Sequence, residues 1–146
     1  MAACGHQPDL RSDWERQQEA KLAPAEQAVA LPPYPPSGEL LEFSLGPTSD
    51  FRFFIEASSL SVADGLVRYV LIARSPDGVQ TVTYEALRCS NGEVRIYAVG
   101  RDGGWSGAPG AWRGPLPWHR ELQREYFCSV MYPVRNRNDA LGAFRR

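Results

Sequence analysis

Three tight-turn dipeptides, Asp64-Gly65, Asp77-Gly78 and Asn91-Gly92, follow one another along the chain, each between runs of apolar residues. Glycine supplies the positive φ that a tight hairpin needs, so each pair marks a place where an extended strand reverses onto its neighbour. Consecutive hairpins make an antiparallel meander. The strands read as Glu39 to Leu45, Phe51 to Ser58, Leu66 to Arg74, Val79 to Cys89 and Glu93 to Val99, each rich in β-branched or aromatic residues.

Alternation assigns their faces. In the second strand Phe51, Phe53, Ile55 and Ala57 share one side while Arg52 and Glu56 point the other way, which predicts a half-exposed strand. In the third, Val67, Tyr69, Leu71 and Ala73 alternate with Leu66, Val70 and Ile72, interrupted only by Arg68. That strand is expected to be central and covered on both sides. The fourth sets Val82, Tyr84 and Ala86 against Thr81, Thr83 and Glu85, and the fifth sets Val94, Ile96 and Ala98 against Arg95 and Tyr97. One face of such a sheet needs a cover. After Pro117, residues Trp118, Leu122 and Tyr126 recur at helical spacing, which predicts a helix lying on the sheet. Residues 138–144 read as a final frayed turn capped by Asn138 or Asp139. The fold class is α+β and β-rich, a meander of about five strands covered by one C-terminal helix. The domain limits are 1–38 for a tether, 39–132 for the globular part and 133–146 for a tail.

The tether holds 6 of the 12 prolines and few apolar side chains, too few to offset the entropy of ordering it. Asp13 to Lys21 has the pattern of a short helix, with Ser12 and Glu15 forming a capping box. Leu31-Pro32-Pro33-Tyr34-Pro35-Pro36 reads as a stiff polyproline II spacer leading into the domain. Met1-Ala2-Ala3-Cys4-Gly5 has the form of the end of a bacterial lipoprotein signal, with Cys4 as the lipid-bearing residue. A secretory signal also needs a basic start and an apolar stretch before the cleavage site, and Met1 stands where that stretch would be. Two readings stay open: an exported lipoprotein read from a late start, or an ordinary cysteine in a cytosolic protein.

The charge is uneven. Residues 1–50 carry 8 acids and 3 bases, while the rest carries 9 acids and 13 bases. The arginines of the folded part never run beyond pairs, which argues for a solvated surface and against a nucleic-acid partner. No apolar run approaches the length of a membrane span, so a membrane is reached only through a lipid on Cys4. No nucleophile elbow, Walker loop or dinucleotide fingerprint occurs, and no cofactor is expected. Of the two histidines, His6 lies in the tether and His119 on the helix; His119 with Glu121 or Glu125 does not make a zinc pattern, and it reads as a surface residue. Asp50, Asp64 and Glu85 could converge as acid–base carboxylates, but nothing in the sequence selects two of them.

Cys89 ends the fourth strand and Cys128 ends the helix. In an oxidising compartment the two would pair and staple helix to sheet; in a reduced cytosol they would be two buried thiols. The segment from Arg101 to Pro117 has a binding character, because Trp105 and Trp112 sit beside Arg101 and Arg113 on a glycine and proline frame. Such residues can stack on a ligand. Equally, the two tryptophans can close the open edge of a small core.

Leu45 to Phe54, Val67 to Ser75, Leu87-Arg88-Cys89, Tyr97 to Arg101, His119 to Leu122 and Glu125 to Cys128, in that order, resemble the cryptic-neisserial-protein-like family of bacterial proteins over about residues 31–132. The resemblance implies an envelope address, and Gly5 after Cys4, in place of the aspartate that usually retains such proteins at the inner membrane, makes the expected location periplasmic and anchored to the outer membrane. It carries over no catalytic residue, because the family's molecular function is uncharacterised. Two functions stand beside each other. One is a non-enzymatic binding or structural module whose partner is an envelope protein or ligand; the other is a hydrolase acting on an envelope component. A cytoplasmic location follows instead if Met1 is the true start.

Overall fold

The computed structural model describes Trp14, residues 29–129 and residues 132–145. The chain divides into two units, residues 1–30 and 31–146, and the second contains the sheet. Cys4, His6 and, apart from Trp14, the short helix expected at Asp13 to Lys21 lie outside the described residues.

Six strands lie side by side in chain order: β1 (Leu40–Phe43), β2 (Arg52–Ala63), β3 (Leu66–Arg74), β4 (Gln80–Arg88), β5 (Val94–Arg101) and β6 (Gly104–Ser106). Every neighbouring pair is antiparallel, so the meander is the fold, with one strand more than the five expected. At Asp64-Gly65 both residues have positive φ, 57° and 77°, and Ala63 pairs directly with Leu66 across a two-residue loop. The sixth strand arises by the same chemistry. Asp102-Gly103, with φ of 51° and 80°, turns Arg101 back onto Gly104 inside the segment assigned to a loop.

β3 is the central strand, buried without a break from Leu66 to Ile72, Arg68 included. β2 corrects the half-exposed reading, because Phe54 and Glu56, on the side assigned to solvent, are 6% and 2% exposed. Phe54 lies beneath the guanidinium groups of Arg52 and Arg74, 5.3 and 4.9 Å from its ring centre. Glu56 is enclosed by Gly38 and Ser58, and burial raises its pKa against the opposing hydrogen bonds from the Ser59 and Ser58 backbone. Beyond Glu56 the register with β3 breaks, so that Glu56 opposes Val70 but Ser61 opposes Arg68. Ser59 mends the ladder: its hydroxyl accepts the Val70 N–H at 2.8 Å and donates to the Glu56 carbonyl at 2.7 Å. The bulge turns Leu60 into the core.

The cover consists of α1 (Pro117–Leu122), a π-helical turn (Gln123–Phe127), the small pair β7 (Cys128–Ser129) and β8 (Tyr132–Pro133), and α2 (Arg137–Phe144). The π turn corrects the expectation of one continuous helix with Trp118, Leu122 and Tyr126 in line. Its extra residue rotates the chain, so that Leu122 and Phe127, five positions apart, are the fully buried pair and Tyr126 is only partly covered. The terminal segment read as a frayed turn is α2, a packed helix. Its cap is Asn136, whose side chain accepts the Asp139 N–H at 2.9 Å, rather than Asn138 or Asp139. It buries Ala140 and Leu141, stacks Phe144 on Tyr126 at 4.2 Å and is tied to β2 by Arg137, which donates to the Ala57 carbonyl.

Cys89 and Cys128 are disulfide-bonded, with Cα atoms 5.6 Å apart, so the end of β4 is stapled to the end of the π turn. The proline-rich segment does not stand off as a free spacer. Tyr34 packs edge-on against Trp105, and the indole N–H of Trp105 donates to the Pro32 carbonyl at 2.7 Å. Gly100 permits this approach, since a Cβ there would lie 2.5 Å from the Tyr34 ring.

Candidate binding cavity

The register of β2, β3 and β4 dictates what lies beneath the cover. Facing the helices, Phe53 stands opposite Ala73 and Ala73 opposite Thr81; the next row is Ile55, Leu71 and Thr83; then Tyr69 opposes Glu85. Where the rows hold alanine and threonine, the short α1 does not fill the space above them. A cavity of about 380 Å³ results. Its floor is Leu71, Ala73, Thr81, Thr83, Glu85 and Ile96; one wall is Leu45, Ser49, Phe51 and Phe53; its roof is the segment from Leu116 to His119. The wall is a line of stacked rings, Phe51 on Phe53 at 6.2 Å and Phe53 on Trp118 at 5.4 Å. Phe51 and Leu116, about half exposed, form the mouth.

At the inner end lies a buried polar cluster. Glu85 Oε1 receives the Tyr69 hydroxyl at 3.0 Å and the His119 Nε2 at 2.9 Å, while Oε2 receives the Thr83 hydroxyl at 2.7 Å. His119 Nδ1 accepts the Leu116 N–H at 3.1 Å, taking the part usually played by Glu or Gln in a capping box. A backbone N–H can only donate, so the ring hydrogen is on Nε2 and points at Glu85. Both ring nitrogens are therefore committed. The Tyr69 hydroxyl is held as a donor, its pKa pushed well above 10 by burial first and then by the Glu85 charge.

This corrects the surface reading of His119. His119 is buried, 4% exposed, rather than on the surface, because Pro117 starts α1 so that its third residue points into the sheet. Thr83 and Glu85, the polar side of β4, face the helices rather than solvent. Asp50 and Asp64 are exposed and do not join Glu85. The dipeptide Asp77-Gly78 misleads here: taken as a two-residue loop it sets Glu85 opposite Val70, but the loop spans residues 76–78, with Ser75 bonded to Val79, and that one-residue shift sets Glu85 opposite Tyr69.

The residues singled out in the loop are not brought together. After β6 the chain runs back along the edge of β5, with Gly110 N–H bonded to the Ile96 carbonyl and Arg113 bridged to Val94. Trp105 pairs with Gly100 at one end and Arg113 with Val94 at the other, roughly 20 Å apart at ordinary strand rise. Trp105 holds Pro32 and Tyr34 at its end. Trp112 lies under the Arg88 guanidinium, 3.9 Å from its ring centre, and Arg101 and Arg113 are exposed. This arrangement covers the sheet edge.

Among the described residues no group of three or more His, Cys, Asp or Glu side chains could hold a metal ion, and no helix is long and apolar enough to cross a membrane. Comparison with curated proteins and with solved structures returns no match. A family model does match, over residues 19–145, and covers the sheet, both helices, the disulfide and every residue of the cavity. The chain belongs to the CNP1-like family.

Proposed function

We propose that this chain is an exported, envelope-associated module that binds an apolar small molecule without transforming it. The cavity between the sheet and α1 carries this reading, because its volume and its apolar wall are those of a small-molecule site. His119, the histidine that borders the cavity, is not free to act as a base there. A general base needs a free lone pair within reach of the substrate proton, and both nitrogens of His119 are already engaged. The binding site is the cavity, and the Trp105 to Trp112 loop serves the sheet edge. An oxidising compartment is supported by the Cys89–Cys128 bond, and Cys4 is the candidate lipid attachment that would anchor the module to the outer membrane on its periplasmic side.

Titration with the neutral fluorophore N-phenyl-1-naphthylamine tests the reading. Saturable binding is expected, and Ala73→Phe, which fills the floor from a partly buried position, is expected to weaken it about tenfold or more. Absence of saturable binding, or equal binding by Ala73→Phe, would overturn it. Mass spectrometry of the mature amino terminus from native cells tests the address, with a diacylglyceryl group on Cys4 as the expected result.

A further inference from the structure

We infer that the cavity selects apolar molecules whose polar head is a hydrogen-bond donor, an ammonium or a hydroxyl, and rejects anions such as fatty acids. This rests on the cavity's being the binding site. No lysine or arginine lines it among the described residues, and the only carboxylate on its surface is Glu85, 2% exposed at the inner end. Glu85 Oε1 is filled by Tyr69 and His119, but among the described residues Oε2 receives only Thr83. A carboxylate offers about four acceptor positions, so one remains on Oε2 beside the Thr83 hydroxyl, and both side chains border the cavity. Besides the Trp118 indole and His119, whose two ring nitrogens are already bonded, the polar side chains bordering the cavity are the hydroxyls of Thr83, Thr81 and Ser49, and none of the three bears charge. An anionic head would meet a carboxylate in a poorly hydrated space, where like charges repel strongly. An ammonium or hydroxyl head would complete the carboxylate's shell instead. The apolar body would lie along Phe51, Phe53 and Trp118, whose ring faces also favour a cation.

Displacement of bound N-phenyl-1-naphthylamine by dodecylamine, dodecanol and dodecanoate, at neutral pH and below micelle formation, tests the inference with one chain and three heads. The amine and the alcohol are expected to displace the probe at about tenfold lower concentration than the carboxylate, or less still. Thr81 lies at the exposed rim, so Thr81→Lys leaves the core intact and is expected to reverse the order, bringing in dodecanoate. If the neutral probe fails to bind, the cavity itself is refuted as a site. If the probe binds and dodecanoate displaces it as well as the amine does, the cavity stands and the head-group selectivity fails. An order left unchanged by Thr81→Lys would place the binding elsewhere and overturn the inference.

Discussion

His119→Ala is the substitution that most sharply divides the two views of this residue. As an exposed helix side chain it would change stability by no more than about 0.5 kcal/mol. In the structure its loss has two separate costs. Glu85 Oε1 loses one of its two donors at a buried position, and a hydrogen bond to a buried charged group is worth about 2 kcal/mol. The Leu116 N–H loses its acceptor at Nδ1, which adds about 1 kcal/mol because that end of α1 has no other side-chain cap. The sum is about 3 kcal/mol, before any term for the space the ring vacates. Urea unfolding at neutral pH measures it, with Arg120→Ala as the control, since Arg120 is the exposed next residue of the same helix and is expected to stay within about 0.5 kcal/mol. Combining His119→Ala with Glu85→Gln should show a coupling above about 1 kcal/mol, because the remaining effect of each depends on the other's presence. A cost for His119→Ala below about 0.5 kcal/mol, or additive losses in the double variant, would refute the buried pair.

Two further outcomes follow from the same geometry. Replacing Cys89 and Cys128 by serine together opens a 39-residue loop and should lower stability by about 4 kcal/mol on the loop-entropy account, read as a shift in the urea midpoint; a shift worth less than about 1 kcal/mol would count against the staple. Burial raises the pKa of Tyr69, with Glu85 adding to it, and burial also raises that of Tyr84 against an opposing charge from Arg68. The unfolded chain therefore releases these protons first, so stability held below about pH 10 falls above it, by up to about 1.4 kcal/mol per pH unit for each tyrosine. Tyr69→Phe should flatten that alkaline slope, and a slope equal to the wild type's would contradict the raised value.

The meander was legible because its signals are local. Each Asp-Gly or Asn-Gly pair lies in a strand reversal, although of the three expected pairs only Asp64-Gly65 takes positive φ at both residues, and the alternation of β3 announces a strand covered on both sides. The Asp102-Gly103 turn carried the same signal but was hidden by its setting, a stretch so rich in glycine and proline that strand content is hard to see. The break in the helix was not legible. Trp118, Leu122 and Tyr126 satisfy an α-helical period, and only packing of Phe127 against Tyr69, with ring centres 5.0 Å apart, favours the extra residue that turns Tyr126 aside. The Asn136 cap lay two residues before the asparagine chosen for it, where sequence-based boundaries are least reliable.

The candidate site was hidden for a deeper reason, which also explains why it exists. Alternation is read by assuming that the polar side of a strand faces water, and in β4 that assumption puts Thr81, Thr83 and Glu85 outside. Pairing with β3 overrides it. Once Tyr69, Leu71 and Ala73 must face the helices, the antiparallel register carries Glu85, Thr83 and Thr81 to the same side whatever their polarity. A buried carboxylate must then find donors, and Tyr69, His119 and Thr83 supply them from β3, α1 and β4 itself. Packing apolar residues at these positions would have filled the core at less risk. Instead the row beyond the carboxylate shrinks to threonine and alanine, leaving an opening that leads from Phe51 and Leu116 at the surface to Glu85 inside. A strand that places its polar side against its own cover, and leaves room beside it, departs from what stability alone favours, and such departures are where function is to be sought.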